Sequence, residues 1–153
     1  MNRGGAEAQR GNEITENVIG AAVRIHRALG PGLLESAYEE CLCYELSKSG
    51  LRFERQKPLP VKYENVKLDC GYRLDLVVEE TVIIELKCVE AFLPIHEAQL
   101  LTYLKLSSLD LGLLINFNVP VLREGLKRVV LNFPSSAPSA PPRLCGSPPD
   151  FHA

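Results

Sequence analysis

The chain has 153 residues, of which 46% are hydrophobic and 24% are charged, and its formal net charge is −2. This composition is typical of one soluble globular domain, and the lack of a basic excess excludes a protein that holds nucleic acid mainly through its net charge. No apolar run approaches the roughly 20 residues that span a bilayer, and the N-terminus lacks the apolar segment of a signal peptide, so we expect a cytoplasmic protein.

Both ends of the chain are predicted to be disordered and to flank one folded domain of residues 13–133. Residues 1–12 are small and polar, as in a flexible arm. Residues 134–153 contain six of the eleven prolines together with serine and alanine, a composition that cannot form a core. The five cysteines lack the paired spacing of a zinc site, so we expect reduced thiols.

Two helices are predicted at the start of the domain. Apolar residues recur at helical spacing over residues 14–29, and Gly30-Pro31-Gly32 then breaks the pattern. A second helix is predicted over residues 34–49. Glu35 lies near the N-terminus of this helix, where the helix dipole favours a carboxylate, and on the side that we expect to face the interior.

The remainder of the domain is predicted to form a sheet with one more helix. A proline at position 94 marks the start of that helix, which should run to about residue 106. This order of elements predicts an α/β (α+β) fold, in which helices flank a mixed central sheet. The last strand would lie at an edge, where it can pair across a homodimer. The predicted strands cover residues 51–55, 60–63, 68–78, 81–88, 109–116 and 126–131.

Three charged residues, Asp75, Glu85 and Lys87, lie inside runs of valine, isoleucine and leucine. Charges in such surroundings are costly unless they are paired or bound to metal. Side chains alternate along a strand, so Glu85 and Lys87 share a face. If residues 79–81 form a three-residue hairpin loop, Asp75 lies directly opposite Glu85. The alternative interpretation is a ladder of ion pairs on a solvent-exposed face.

The facing carboxylates are suited to a hard divalent cation. Mg²⁺ takes oxygen ligands, often from one or two carboxylates, so Asp75 and Glu85 supply a minimal set and the Leu86 carbonyl can add a third oxygen. A cation there would activate water for attack on a phosphodiester. Lys87 would orient that water or stabilise negative charge, and Glu35 would bind the cation through water or accept a proton.

The third helix carries a further polar pair, Gln99 and Tyr103, which share one helix face at a spacing of four residues. Glutamine can contact a phosphate or a metal-bound water, and tyrosine can stack on a base or donate to phosphate. The alternative interpretation is that Gln99 is a solvated helix residue and Tyr103 a half-buried core aromatic.

A locally basic segment covers residues 51–73, with six basic residues against three acidic ones. We favour a solvated strand surface as its explanation, with a patch that faces phosphate as the alternative. The six basic residues are Arg52, Arg55, Lys57, Lys62, Lys67 and Arg73.

The motif formed by Gly32, Glu35 and Tyr38 resembles the signature of the GxxExxY proteins, a family of the PD-(D/E)XK nuclease superfamily. The resemblance covers about residues 13–133 and implies a restriction-endonuclease-like core.

The resemblance also implies roles for individual residues. Glu35 would be the acidic residue carried by a helix, Asp75 the first metal ligand, and Glu85-Leu86-Lys87 the catalytic strand. Gln99 and Tyr103 resemble the Q-x3-Y extension of exonuclease-like branches.

The function that we expect is therefore a Mg²⁺- or Mn²⁺-dependent nuclease acting on nucleic acid, with DNA favoured. One alternative is a catalytically silent accessory module that binds nucleic acid or protein, and another is a phosphohydrolase of small nucleotides.

Overall fold

The computed structural model describes residues 3–131. This part of the chain forms three α-helices and seven β-strands, with a short 3-10 turn before the last strand. The predicted disordered tail at residues 134–153 lies outside the described residues. The elements in chain order are α1 (Arg3–Leu29), α2 (Glu35–Lys48), β1 (Phe53–Pro58), β2 (Val61–Tyr63), β3 (Val66–Leu68), β4 (Arg73–Val78), β5 (Val82–Lys87), α3 (Pro94–Ser107), β6 (Leu111–Asn116) and β7 (Leu126–Val130).

Five strands form the central sheet in the order β1-β4-β5-β6-β7. The pair β5–β6 is parallel and the other neighbours are antiparallel, so the sheet is mixed. Helices α1 and α2 cover one face and α3 covers the other. The predicted fold class, a mixed sheet flanked by helices in the manner of a restriction endonuclease, is confirmed. Strand β7 lies at an edge, as predicted.

Each face of the sheet has its own hydrophobic core. Leu76, Ile84 and Leu86 pack under α1 and α2, whereas Val77 and Ile83 pack under α3. Strands that are buried on both faces need apolar residues at consecutive positions, which explains the unbroken apolar runs in the sequence. The same alternation places Asp75, Glu85 and Lys87 on the face of Val77 and Ile83, the side of α3.

Helix α1 begins at Arg3, so the prediction that residues 1–12 form a disordered arm is wrong for residues 3–12. Tertiary contacts explain the difference. A Cβ added at Gly11 would lie 2.8 Å from the Leu111 side chain, so glycine allows the helix to approach the sheet closely. The Arg10 side chain donates hydrogen bonds to the Thr81 hydroxyl at 2.9 Å and to the Glu79 carboxylate at 3.0 Å. No helix within residues 3–131 is long and apolar enough to cross a membrane.

The strand predicted at residues 68–78 is divided in two. Strand β3 ends at Leu68 and β4 begins at Arg73, with Gly71 between them at a positive φ of 74°. Strands β2 and β3 pair only with each other and form a hairpin separate from the central sheet. The division matters because it places this hairpin immediately before β4, the strand that carries Asp75.

The hairpin between β4 and β5 has the three-residue loop that was predicted. Val78 pairs with Val82, and Leu76 pairs with Ile84. Continued by one residue, this register places Asp75 opposite Glu85. Strand order and register together therefore bring the two carboxylates to the end of the sheet where β4 begins and β5 ends.

Candidate active site

Asp75 and Glu85 contact each other across the two central strands. The Asp75 N–H donates to Glu85 Oε2 at 3.2 Å, and the Leu86 N–H donates to Asp75 Oδ2 at 2.8 Å. Each carboxylate thus accepts a backbone N–H from the neighbouring strand, where the regular ladder of the two strands ends. Glu85 is only 6% exposed, whereas Asp75 is half-buried.

Burial and mutual repulsion change the acidity of both carboxyl groups. Burial and then the adjacent Asp75 charge raise the pKa of Glu85 to about 8. Burial also raises the pKa of Asp75, and the Glu39 charge adds to this, although the Leu86 N–H opposes it. Two adjacent carboxyl groups, one buried and one half-buried, resist ionising together because their negative charges repel. A bound cation would relieve this repulsion.

Lys87 lies on the same strand face as Glu85 and is half-buried. Its positive charge lowers the pKa of Glu35, of Asp75 and of Glu85, so it acts on all three acidic groups. Within residues 3–131, no carboxylate oxygen lies within 4.0 Å of the ammonium nitrogen. Among the described residues, Lys87 therefore forms no close ion pair, although it lies beside the two carboxylates.

Glu35 is the first residue of α2. Burial and then the Asp75 charge raise its pKa. The side chain is nevertheless exposed, so the expectation that it faces the interior is wrong. The buried carboxylate of this helix is Glu39, one turn further on.

The glycine and the tyrosine of the motif around Glu35 shape the corner between α1 and α2. The Tyr38 hydroxyl donates to the Gly30 carbonyl at 2.5 Å and accepts the Leu33 N–H at 3.2 Å. Its ring stacks on Phe117 with centroids 4.2 Å apart. Gly32 has a φ of 104°, a backbone conformation that other residues rarely adopt. Tyr38 and Gly32 thus fix the position of the helix end that carries Glu35.

Two polar residues near Asp75, Glu39 and Gln56, were not identified from the sequence. Glu39 accepts a hydrogen bond from Arg55 Nε at 2.7 Å and one from Gln56 Nε2 at 3.0 Å. Gln56 Nε2 also lies 3.4 Å from Asp75 Oδ1. Gln56 has a φ of 52° inside an edge strand, a strained conformation for a residue other than glycine. The spacing of Glu39 from Glu35 was the one available signal, since residues four apart share a helix face.

From α3, Tyr103 borders the carboxylate pair, and burial followed by the charge of Glu85 raises its pKa. Gln99 lies one helical turn before Tyr103 on the same helix face. Gln99 is exposed and Tyr103 is half-buried. His96 serves a different purpose, because its Nδ1 accepts the Leu93 N–H at 2.9 Å at the start of α3.

The donor set near Asp75 suits a hard cation in chemistry and in number. Within residues 3–131, no group of three or more His, Cys, Asp or Glu side chains is close enough to hold a metal ion. Mg²⁺, however, commonly uses one or two carboxylates and completes its shell with water and substrate oxygens. Asp75 and Glu85 meet that requirement. The Leu86 carbonyl points to the same side of β5 as its N–H, which is the side of Asp75.

A family model described as the PD-(D/E)XK nuclease superfamily matches residues 12–129. The matched segment includes every candidate residue described above. Neither a curated protein nor a solved structure is significantly similar to the chain.

Proposed function

The chain belongs to the PD-(D/E)XK nuclease superfamily, and from that premise we propose that it is a divalent-metal-dependent nuclease that hydrolyses phosphodiester bonds in nucleic acid. The observation that carries the proposal is the pair of facing carboxylates, Asp75 and Glu85, with Lys87 on the same strand face. Glu85-Leu86-Lys87 supplies the (D/E)XK part of the superfamily pattern. Nucleic acid is the substrate class that this superfamily implies, and DNA is the form that we propose.

Asp75, Glu85 and the Leu86 carbonyl would hold Mg²⁺ or Mn²⁺. When bound, such a cation polarises the scissile phosphate and lowers the pKa of a coordinated water. The chain itself contributes a carboxyl group that ionises when the cation binds. The pKa of Glu85, about 8, keeps this group largely protonated at neutral pH until a positive charge lies beside it.

Lys87 and Glu35 would act on the groups that react. Lys87 has an ammonium without a close acidic partner among the described residues, so it is available to orient the attacking water or to stabilise charge on the phosphate. Glu35 is exposed beside the pair and within the electrostatic reach of Asp75, so it can accept a proton or bind the cation through water. Gln99 and Tyr103 would contact the phosphate or its waters from the opposite side.

Membership of the GxxExxY branch is a second part of the proposal. Gly32, Glu35 and Tyr38 are supported in this assignment by their distinct physical roles, since the glycine and the tyrosine fix the corner that presents the glutamate. A triplet of this kind would serve to orient one acidic group.

The test is cleavage of labelled single-stranded and double-stranded DNA and RNA with Mg²⁺, with Mn²⁺ and with chelator. Asp75→Asn and Lys87→Ala should each lower the rate by about 100-fold or more, because the first removes a charged ligand of the cation and the second removes a positive charge that stabilises the transition state. Asp110→Asn and Lys48→Ala are matched controls, since Asp110 precedes β6 at the opposite end of the sheet and Lys48 ends α2.

Three results would contradict the proposal of a nuclease with this active site. Equal cleavage by wild type and Asp75→Asn would place the reaction elsewhere. Binding of nucleic acid without cleavage under any of these conditions would instead support a silent accessory module. Hydrolysis of free nucleotides alone would support a small-nucleotide phosphohydrolase.

A further inference from the structure

An apolar groove lies beside the candidate site, between α3 and the β2–β3 hairpin. Its volume is about 360 Å³. Tyr72 and Tyr103 contribute aromatic surface, and their ring centroids lie 6.4 Å apart at an interplanar angle of 57°. Ile95 is 64% exposed and Tyr72 is 47% exposed, so the groove is open to solvent. Its main lining residues are Val61, Tyr72, Ile95, Ala98, Tyr103 and Leu106.

The groove is continuous with the candidate active site through Tyr103. Burial and then the charges of Glu85, Tyr72 and Asp75, in that order, raise the pKa of Tyr103, so its hydroxyl lies within their electrostatic reach. Gln99 lines the groove one helical turn before Tyr103. A molecule in the groove would therefore lie next to a phosphate held by Asp75 and Glu85.

A second groove of about 510 Å³ lies on the other side of Tyr72 and carries positive charge. Lys67 and Arg73 line it together with one acid, Asp69. Arg73 lies two residues before Asp75 in β4, so the two side chains leave the same face of that strand. Neither Lys67 nor Arg73 has a carboxylate within 4.0 Å among residues 3–131.

The hairpin adds a further anion-binding feature. Lys62 pairs directly with Lys67 across β2 and β3. Like charges directly opposite each other destabilise a strand pair, so this arrangement costs stability in the free protein. Both lysines are exposed. The basic segment of residues 51–73 has three further basic residues, and these are neutralised in ion pairs. They are Arg52, Arg55 and Lys57.

We propose that the groove binds an unpaired nucleobase, stacked on Tyr72, while Lys62, Lys67 and Arg73 bind the phosphates of the same strand. The substrate is then a single-stranded segment of nucleic acid. An apolar groove with aromatic walls receives the flat face of a base, which is accessible only when the base is unstacked from a duplex. Lys67 and Arg73 line the groove on the other side of Tyr72, so that cationic and aromatic surface lie side by side, as phosphate and base do along one strand.

This inference rests on the proposed function for the nature of the ligand, but its test requires no catalysis. Fluorescence anisotropy in chelator would compare labelled 12-mers of single-stranded DNA, single-stranded RNA and duplex DNA. Loss of Tyr72 should weaken single-strand binding by about 5- to 150-fold, the usual effect of removing one stacked base contact. Tyr72→Phe should bind like wild type, since it keeps the ring.

The matched control is Tyr44→Ala, which removes a tyrosine that is 63% exposed, against 47% for Tyr72, from the outer face of α2. Thermal unfolding of each variant would verify that folding is intact. Single-strand binding by Tyr72→Ala equal to that of wild type, or a preference of wild type for duplex, would overturn the inference. The DNA and RNA arms show which backbone is preferred.

A salt titration tests the phosphate contacts separately. The Lys62→Ala/Lys67→Ala double variant should reduce the slope of log affinity against log salt by about 1.4, or about 0.7 per lost single-strand phosphate contact. Lys48→Ala/Lys105→Ala removes the same charge from the ends of α2 and α3 and should leave the slope unchanged. An unchanged slope in the Lys62→Ala/Lys67→Ala variant would show that these two lysines do not bind phosphate. If Tyr72→Ala lost binding while wild type cut nothing in Mg²⁺, the groove would stand and the nuclease proposal would fail.

Discussion

Among the residues of the candidate site, Glu85 is the one whose burial lowers the stability of the free protein most. It is buried in the sheet opposite Asp75, with the Asp75 N–H and the Lys87 charge as partial compensation. A structural residue at this position would be apolar, like its neighbours in β5. The simplest physical reason to keep a carboxylate there is that a ligand supplies the missing positive charge.

Replacing Glu85 by glutamine should stabilise the metal-free protein at alkaline pH. The pKa of Glu85 is raised to about 8 in the folded state, so the folded protein holds a proton between pH 4.5 and 8 that the unfolded chain has released. The free energy of unfolding of wild type therefore falls as pH rises through this window. Glu85→Gln cannot ionise and avoids that loss, which we expect to reach about 4 kcal/mol at pH 8.

Urea unfolding in chelator at pH 5 and pH 8 measures this effect. The stability difference between Glu85→Gln and wild type should be small at pH 5 and should grow at pH 8. Glu90→Gln, which alters an exposed glutamate close by in sequence, should show no such growth. A difference that is the same at both pH values would contradict the assignment of a raised pKa to Glu85.

At this scale the sequence predicted the acidic pair but not its surroundings. Asp75, Glu85 and Lys87 were identifiable because charges interrupt apolar strands. Gln56 was not, since an edge strand rich in polar residues resembles a solvated surface, and a positive φ leaves no mark in the sequence. Glu39 was hidden because its partner Arg55 comes from a strand 16 residues away.

Among the elements, the corner between α1 and α2 positions the site from outside the sheet. Tyr38 is fully buried, and its hydroxyl satisfies the Leu33 N–H and the Gly30 carbonyl. The ring is held against Phe117, which directly follows β6. Glu35 therefore owes its position to a hydroxyl and a stacked ring rather than to contacts of its own side chain alone.

Removing only the Tyr38 hydroxyl should weaken this corner. Tyr38→Phe leaves the Leu33 N–H and the Gly30 carbonyl without their partner, which should lower the free energy of unfolding by about 1–3 kcal/mol. The phosphodiesterase rate should also fall, because Glu35 loses its fixed position. Tyr44→Phe is the control, since that tyrosine is exposed on the same helix. Unchanged stability and rate in Tyr38→Phe would exclude this role.

Element boundaries show where local sequence was insufficient. The helix predicted at residues 14–29 extends back to Arg3 because Gly11 permits close packing on Leu111 and Arg10 bonds to the β4–β5 loop. These are contacts between residues about 70 to 100 positions apart, which periodicity cannot reveal. The core strands were predicted well because their burial on both faces imposes long apolar runs.

For the whole molecule, a net charge of −2 conceals an uneven distribution. The carboxylates converge at the end of the sheet, and cations that form no ion pair within residues 3–131 lie on or directly after the hairpin beside it. The sequence showed the basic segment, but only the fold separates Lys62, Lys67 and Arg73 from the residues that pair with acids. A homodimer through β7 stays a prediction; Lys127 and Arg128 on that edge strand oppose simple strand addition.

Titration of Mn²⁺ into the metal-free protein tests the central claim most directly, because it asks whether Asp75 and Glu85 hold one divalent cation. Calorimetry at pH 7 should show one site per chain, with release of nearly one proton because Glu85 must ionise on binding. Asp75→Asn should abolish the site, and Asp110→Asn should bind like wild type. Wild type without binding, or Asp75→Asn with unaltered binding, would contradict the account.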